Sequence, residues 1–370
     1  MTKLRLGKLS RYLIGAAALV TATAPANAAL TFNLTYIPGT SVQAQNAFQA
    51  AAARWSAVFT DNITINLTVG TAQLGTGILG STASSQSFYT YSSFRNALAA
   101  DATSADDASA VASLSTGSTF NMLINRTSNN PNGAGSATTY LDNDGDANNQ
   151  TVRLNSANVK ALGTNVAGTV VGACTSACDG SITFSTLFDF DFDPSDGITA
   201  GQFDFIGVAT HEIGHALGFV SGVDILDINS TTSFFRDDQF TYVSSLDLFR
   251  YSAASCAQGV IDWTADTRAK YFSVDGCATQ GPGFSTGRTW GDGQQASHWK
   301  DNLGIGILDP TAARGELLSI SENDLRALDV IGWNRAVAVP EPATWAMMIG
   351  GFGMIGAAAR RRRSKTLAAA

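Results

Sequence analysis

Residues 208–224, VATHEIGHALGFVSGVD, put His211, Glu212 and His215 within five consecutive positions and add Gly218 three residues after the second histidine. At about 100° per residue, side chains four positions apart lie only ~40° apart around a helix. Both imidazoles can therefore reach one ion with bonds of roughly 2.0–2.1 Å. Ile206, Ala209, Ile213, Ala216 and Leu217 fall on the opposite side. One face reads as core and the other as metal-facing. Glu212 sits beside the ligand pair, placed to accept a proton rather than to bind the ion. Gly218 suits the left-handed residue that ends a helix and redirects the chain. The chain has 3 histidines and only four glutamates, so chance supplies about 3 × 10⁻⁴ HExxH matches. The rival reading, two core histidines around a buried glutamate, requires partners for a costly buried charge.

A catalytic zinc site needs three protein ligands and one open position. Position 221, where many such sequences supply the third histidine, holds Ser221. The remaining histidine is His298, in GDGQQASHWKDNLGIGILDP, residues 291–310. Beyond the helix the glutamates are Glu316, Glu322 and Glu341, of which Glu322 lies in the cap of the last helix and Glu341 in the C-terminal tail. Asp224 is near but three positions past Ser221. Elimination leaves His298 as the third ligand beside His211 and His215. The long intervening segment is no obstacle, because closure cost grows by only ~0.6 kcal/mol per doubling of length.

Outward from the motif, SVQAQNAFQAAAARWSAVF sets Phe48, Ala52, Trp55 and Phe59 on one helical stripe, and NITINLTVG alternates Ile63, Ile65, Leu67 and Val69 as a half-buried strand. TFNMLI and TVRL read as further strands, SADDASAVASL as a helix, and DGSITFSTLFDFDFD as a strand immediately before the histidine helix. The interleaving predicts an α+β fold with a mixed sheet. After Ser221 regular signals thin out until SENDLRALDVIGW, where Ser321 caps a closing helix, Leu325, Leu328 and Ile331 face inward, and Gly332 stops it.

The two ends are targeting segments. Lys3, Arg5, Lys8 and Arg11, an apolar run and Ala26-Asn27-Ala28 predict a signal peptide over 1–28. At the other end Pro340-Glu341-Pro342, an apolar segment from Ala343 to Ala359 and Arg360 to Arg363 resemble a PEP-CTERM sorting signal, here 336–370. That resemblance implies export in a Gram-negative bacterium, transient anchoring in the inner membrane through the C-terminal helix, handling by an exosortase-type processing enzyme, and delivery to the cell surface or extracellular matrix. A permanent anchor is the alternative. With the four basic residues of the leader and the five beyond Ala359 set aside, 14 basic residues face 30 acidic ones, a net charge near −16. Such acidity argues against a nucleic-acid partner. Four cysteines suit an oxidising compartment. Three pairings are open, with Cys174–Cys178 and Cys256–Cys277 the simplest.

The run ATHEIGHALGF, a long insertion, ASHWKDNLGIGILDP and a closing DVIGW are together similar to the leishmanolysin-like zinc metalloproteases of the metzincin clan, over roughly Phe203 to Trp333. The resemblance implies a zincin-like catalytic domain with an active-site helix, divided into an N-terminal subdomain (29–220) and a largely irregular C-terminal subdomain (221–335). It implies Zn2+ on His211, His215 and His298, Glu212 as general base toward a zinc-activated water, and a polypeptide substrate. Leu308 stands where the family has the methionine of its turn beneath the metal. A Ca2+ site is a second expectation, from Asp142, Asp144 and Asp146 around Gly145 and from Asp189, Asp191, Asp193 and Asp196. Solvated acidic turns are the plain alternative. Two further functions fit the same residues: a surface adhesin or matrix protein that kept the fold without catalysis, and a zinc hydrolase acting on a non-peptide bond.

Overall fold

Apolar alternation at 65, 67 and 69 produces the expected strand at Thr64–Ala72 (β2) in the computed structural model, which describes residues 30–230, 234–336 and 349–355. Ile65, Leu67 and Val69 are all buried. β2 is central in a four-stranded mixed sheet with β1 (Thr31–Tyr36), β3 (Gly80–Ser84) and β4 (Gly180–Ser185), in the order β1-β2-β4-β3. β1, β2 and β4 run parallel, and β3 closes one side antiparallel to β4, with Gly80 opposite Phe184 and Thr82 opposite Ile182. The fold is α+β. Neither β1 nor β3 was foreseen: β1 is half exposed along its length and β3, GSTAS, has no apolar alternation to betray it.

The first helix, α1 (Val42–Ser56), starts where Ser41 Oγ accepts the Ala44 amide at 3.2 Å and buries Ala44, Ala47, Phe48, Ala51, Ala52 and Trp55. That stripe packs on the histidine helix, α2 (Phe205–Leu217). Trp55 donates its indole N–H to Thr210 O at 2.9 Å, and Phe184 of β4 lies 5.2 Å from Phe48 and 4.3 Å from Phe205, ring centre to ring centre. α2 is thus fixed against sheet and helix before its polar face is considered. The strand expected immediately before α2 is displaced. β4 ends at Ser185, and residues 186–204 intervene, closing on a two-residue parallel ladder of Phe190–Asp191 with Phe203–Asp204. The acidic alternation FDFDFD bends into side-chain-capped turns, because Asp191 accepts the Thr199 amide and hydroxyl and Asp193 the Ser195 amide.

Beyond residue 220 the elements are short: a helix at Val223–Asn229, a three-stranded ladder of Arg250–Tyr251, Lys270–Phe272 and Gly283–Phe284, and the closing helix α3 (Glu322–Asp329). Ser321 Oγ caps α3 by accepting the Asp324 amide, and Leu328 and Ile331 are buried. Strand Ile261–Asp262 pairs parallel with Met122–Ile124, so a sheet spans the two sides of position 220. One cluster of buried apolar residues likewise runs from Leu30 to Trp333. Disulfides join Cys174 to Cys178 and Cys256 to Cys277.

The body ends tied down. Arg335 bridges antiparallel to Phe59, Ala336 donates its amide to Val58 O at 2.8 Å, and Thr60 donates its amide to Asn334 O at 2.8 Å. The expected signal peptide lies outside the described residues, as does the sorting segment apart from Ala336 and a short helix over 349–355. Among the described residues no helix is long and apolar enough to cross a membrane.

Candidate metal centre

Asp204 caps α2 by accepting the Gly207 amide at 2.7 Å, and Gly218 ends it with φ of 122°. Between these caps His211 and His215 emerge one turn apart, their ring centres 4.7 Å apart. The chain then turns so that Phe219 O meets His215 Nδ1 at 2.7 Å. Ser221 points elsewhere: its hydroxyl donates to Asp247, which also accepts the amides of Gly222 and Ser244 and the indole N–H of Trp263. The position that often carries a third ligand is spent on fixing this turn.

His298 fills the gap. Its Nε2 lies 3.1 Å from His215 Nε2, which lies 3.0 Å from His211 Nε2. The three side chains form a group whose nitrogens lie within 4.8 Å of one another. Each Nδ1 faces a backbone carbonyl: His211 faces Ile307 O at 2.7 Å, His215 Phe219 O, and His298 Gln295 O at 3.3 Å. A carbonyl only accepts, so each ring carries its proton on Nδ1 and turns the Nε2 lone pair inward. Three lone pairs pointed at one another repel unless a cation lies among them. With bonds of about 2.0–2.1 Å at the tetrahedral angle, zinc ligands stand roughly 3.3 Å apart, close to the separations found. The donor set fits the ion. Burial depresses the imidazoles in the same sense, His211 to about 4, His215 to about 3 with help from His211, and His298 well below its ordinary value. All three are neutral at pH 7, as ligation requires.

What carries His298 into place is a half-buried carboxylate. Asp224 accepts the Ala296 amide at 2.6 Å, the Ser297 amide at 3.1 Å and the Ser297 hydroxyl. Burial lifts its pKa to about 6 against the pull of those donors. Asp227 holds the Thr289 and Trp290 amides at 2.8 Å each. Asp324, in α3, takes the Trp299 indole and the Ile307 amide at 2.8 Å, the Leu308 amide at 3.3 Å and the Ser321 amide at 2.7 Å. The Ile307-Leu308 turn so fixed presents its carbonyl to His211 and lays Leu308 against Gly214, where an added Cβ would meet Leu308 at 3.1 Å. Sequence reasoning weighed Asp224 only as a ligand and overlooked its part as a clamp.

Glu212 is buried, and burial pushes its carboxyl up to about 7 while the Thr82 hydroxyl pulls it down. Thr82 Oγ1 lies 2.7 Å from Glu212 Oε2 and 2.9 Å from Glu212 O. Thr82 belongs to the unforeseen strand β3, and no spacing rule links positions 130 residues apart.

The second expected cation site is rearranged. Asp142 and Asp144 gather with Asp237 rather than Asp146. Asp146 instead caps the helical turn Ala147–Gln150 through the Asn148 amide. Asp189, Asp191, Asp193 and Asp196 form no such group among the described residues.

Residues 338–363 match the model of the PEP-CTERM protein-sorting motif. That motif indicates export and surface sorting in Gram-negative bacteria and implies recognition by an exosortase-type processing enzyme. Comparisons with curated proteins and with solved structures returned no match.

Proposed function

We propose that this exported chain is a zinc-dependent endopeptidase with a zincin-type catalytic domain of the metzincin kind. The observation that carries the reading is the convergence of three Nε2 atoms from positions 211, 215 and 298, at separations of 3.0 and 3.1 Å, on the helix that also bears a buried glutamate. His211, His215 and His298 would hold the ion, which when bound supplies Lewis acidity toward a carbonyl and acidifies water toward a pKa of ~7.

The remaining steps belong to the chain. The backbone carbonyls of Ile307, Phe219 and Gln295 fix the imidazole tautomers, so no ligand needs to shed a proton to bind. Glu212, raised to about 7 by burial, accepts a proton near neutrality and returns it to the departing amine. β3 pairs with β4 on one side and with no other strand among the described residues. An extended polypeptide adding to its free edge would lie beside Glu212, which favours a peptide over a compact small molecule as substrate. His211 and His215 are only half buried, leaving the centre an open side.

The rival, a non-catalytic adhesin or matrix protein on the same fold, shares the sorting signal but gives no reason to bury a carboxylate at position 212 against a lone threonine hydroxyl. Cleavage of casein or a peptide library by the span Ala29–Arg335, with and without a chelator and alongside metal analysis, decides between them. One zinc per chain and chelator-sensitive cleavage are expected; bound zinc without cleavage would favour the scaffold.

A further inference from the structure

Resting on the reading of Glu212 as the general base, we propose that Thr82 and Gly80, two residues apart on one face of β3, position its carboxylate. Both oxygens of Glu212 lie against this strand. Oε2 takes the Thr82 hydroxyl at 2.7 Å. Oε1 lies where a Cβ added at Gly80 would come within 2.7 Å, and Cγ and Cδ would stand 3.0 and 3.1 Å from it. Gly80 is not one of the glycines with positive φ, so its backbone would accept any residue. What position 80 lacks is room, and Glu212 takes that room.

The geometry matters because a glutamate on a helix keeps three side-chain torsions, and freezing them costs up to ~2 kcal/mol. A base that must meet a proton within hydrogen-bond reach gains from having them frozen beforehand, and an error near 1 Å costs about 10²-fold. Thr82 has one proton to give. Of its two acceptors the carboxylate is nearer than Glu212 O, so the hydroxyl chiefly selects the rotamer. Alternation brings Gly80 and Thr82 onto the same face of β3, and Ser81 turns away. The strand offered to a peptide is thereby the strand that aims the base. Occupancy of its edge and orientation of Glu212 are mechanically joined.

The test combines Thr82→Val, Thr82→Ser and Gly80→Ala. Thr82→Val is expected to lower kcat about 10²-fold, with KM within about 3-fold and one zinc per chain retained. Thr82→Ser, which keeps the hydroxyl, should return kcat to within about 3-fold of wild type. Gly80→Ala should lower kcat with zinc content unchanged, and it carries the test if Thr82→Val does not fold. A second readout needs no activity. In chelated protein at roughly pH 9, above the raised Glu212 value of about 7, the Glu212 carboxylate stretching band is identified by its loss in Glu212→Gln. Thr82→Val should shift that band and Thr82→Ser should leave it in place. An unmoved band with wild-type kcat in Thr82→Val, or no recovery in Thr82→Ser, overturns the proposal. A band shift in Thr82→Val together with no chelator-sensitive cleavage by the wild-type protein retains the positioning role and removes the peptidase reading.

Discussion

The two sources of the histidine triad are built on different kinds of order. His211 and His215 owe their approach to helical periodicity, reinforced by an apolar back face that α1 and β4 cover. His298 sits where no regular element runs. Its segment is held by carboxylates that accept backbone amides one at a time: Asp224 behind residues 296–297, Asp227 behind 289–290, and Asp324 behind 307–308. In the first region hydrogen bonds come with the secondary structure; in the second, side chains must supply the acceptors that a sheet or helix would have provided. An irregular region can be as well ordered as a regular one, provided it buries enough acceptors. The aspartate-rich composition reflects this requirement as much as solubility.

The comparison can be broken at several points. Removing the proposed base from the helical side should have the largest effect: Glu212→Gln is expected to lose about 10²–10⁴-fold in kcat with zinc stoichiometry unchanged, measured by peptide cleavage and metal analysis. Substantial turnover in that variant would remove Glu212 from the mechanism. Next, Asp324→Ala strips one acceptor from four donors in the irregular side. It should destabilise the protein by about 4 kcal/mol or more in urea unfolding, since buried donors left unpaired cost ~1–3 kcal/mol each. A loss below ~1 kcal/mol would show that the segment is held by packing instead.

Asp224→Ala tests the clamp on the third ligand. Zinc affinity should fall about 10–100-fold by competition with a chromogenic chelator, the usual range for an outer partner of a ligand. Unaltered affinity would mean that His298 is placed without its help. The smallest effect expected is on pH dependence. Burial raises Asp142 and Asp329 to about 7, and Asp61 and Asp101 to about 6. Over that range the native state binds more protons than the unfolded chain, so lowering pH favours folding. The three histidines act in the opposite sense below about 6.5, where unfolded imidazole protonates. Chelated protein should therefore gain a few degrees in Tm between about pH 8 and 6.5, and the gain should slow below, where the three histidines oppose the four carboxylates. A monotonic fall in Tm from pH 8 would contradict the burial of these carboxylates.

How much of this was legible in sequence follows the same divide. The helix at 205–217, the stripe of α1 and the alternation of β2 follow fixed periods, and a period can be read without coordinates. His298 was reached by scarcity: so few histidines and glutamates exist that elimination sufficed. The clamps escaped because aspartates at 224, 227 and 324 look like surface residues until the chain folds back on them. Thr82 escaped because GSTAS has the composition of a loop, and its role exists only through a partner on a distant helix. The strand expected just before α2 forms over Gly180–Ser185 but stops well short of the helix, for a related reason: Asp191 and Asp193 satisfy nearby amides and hydroxyls and pull FDFDFD into turns.

The fastening of Arg335 and Ala336 alongside Val58 and Phe59 has a mechanical corollary. The sorting motif begins at residue 338, two residues past the last fastened amide, and two residues span at most about 7 Å. Whatever grips the first residue of that motif therefore has the folded body on a leash shorter than a helix is wide, until the fastening peels away.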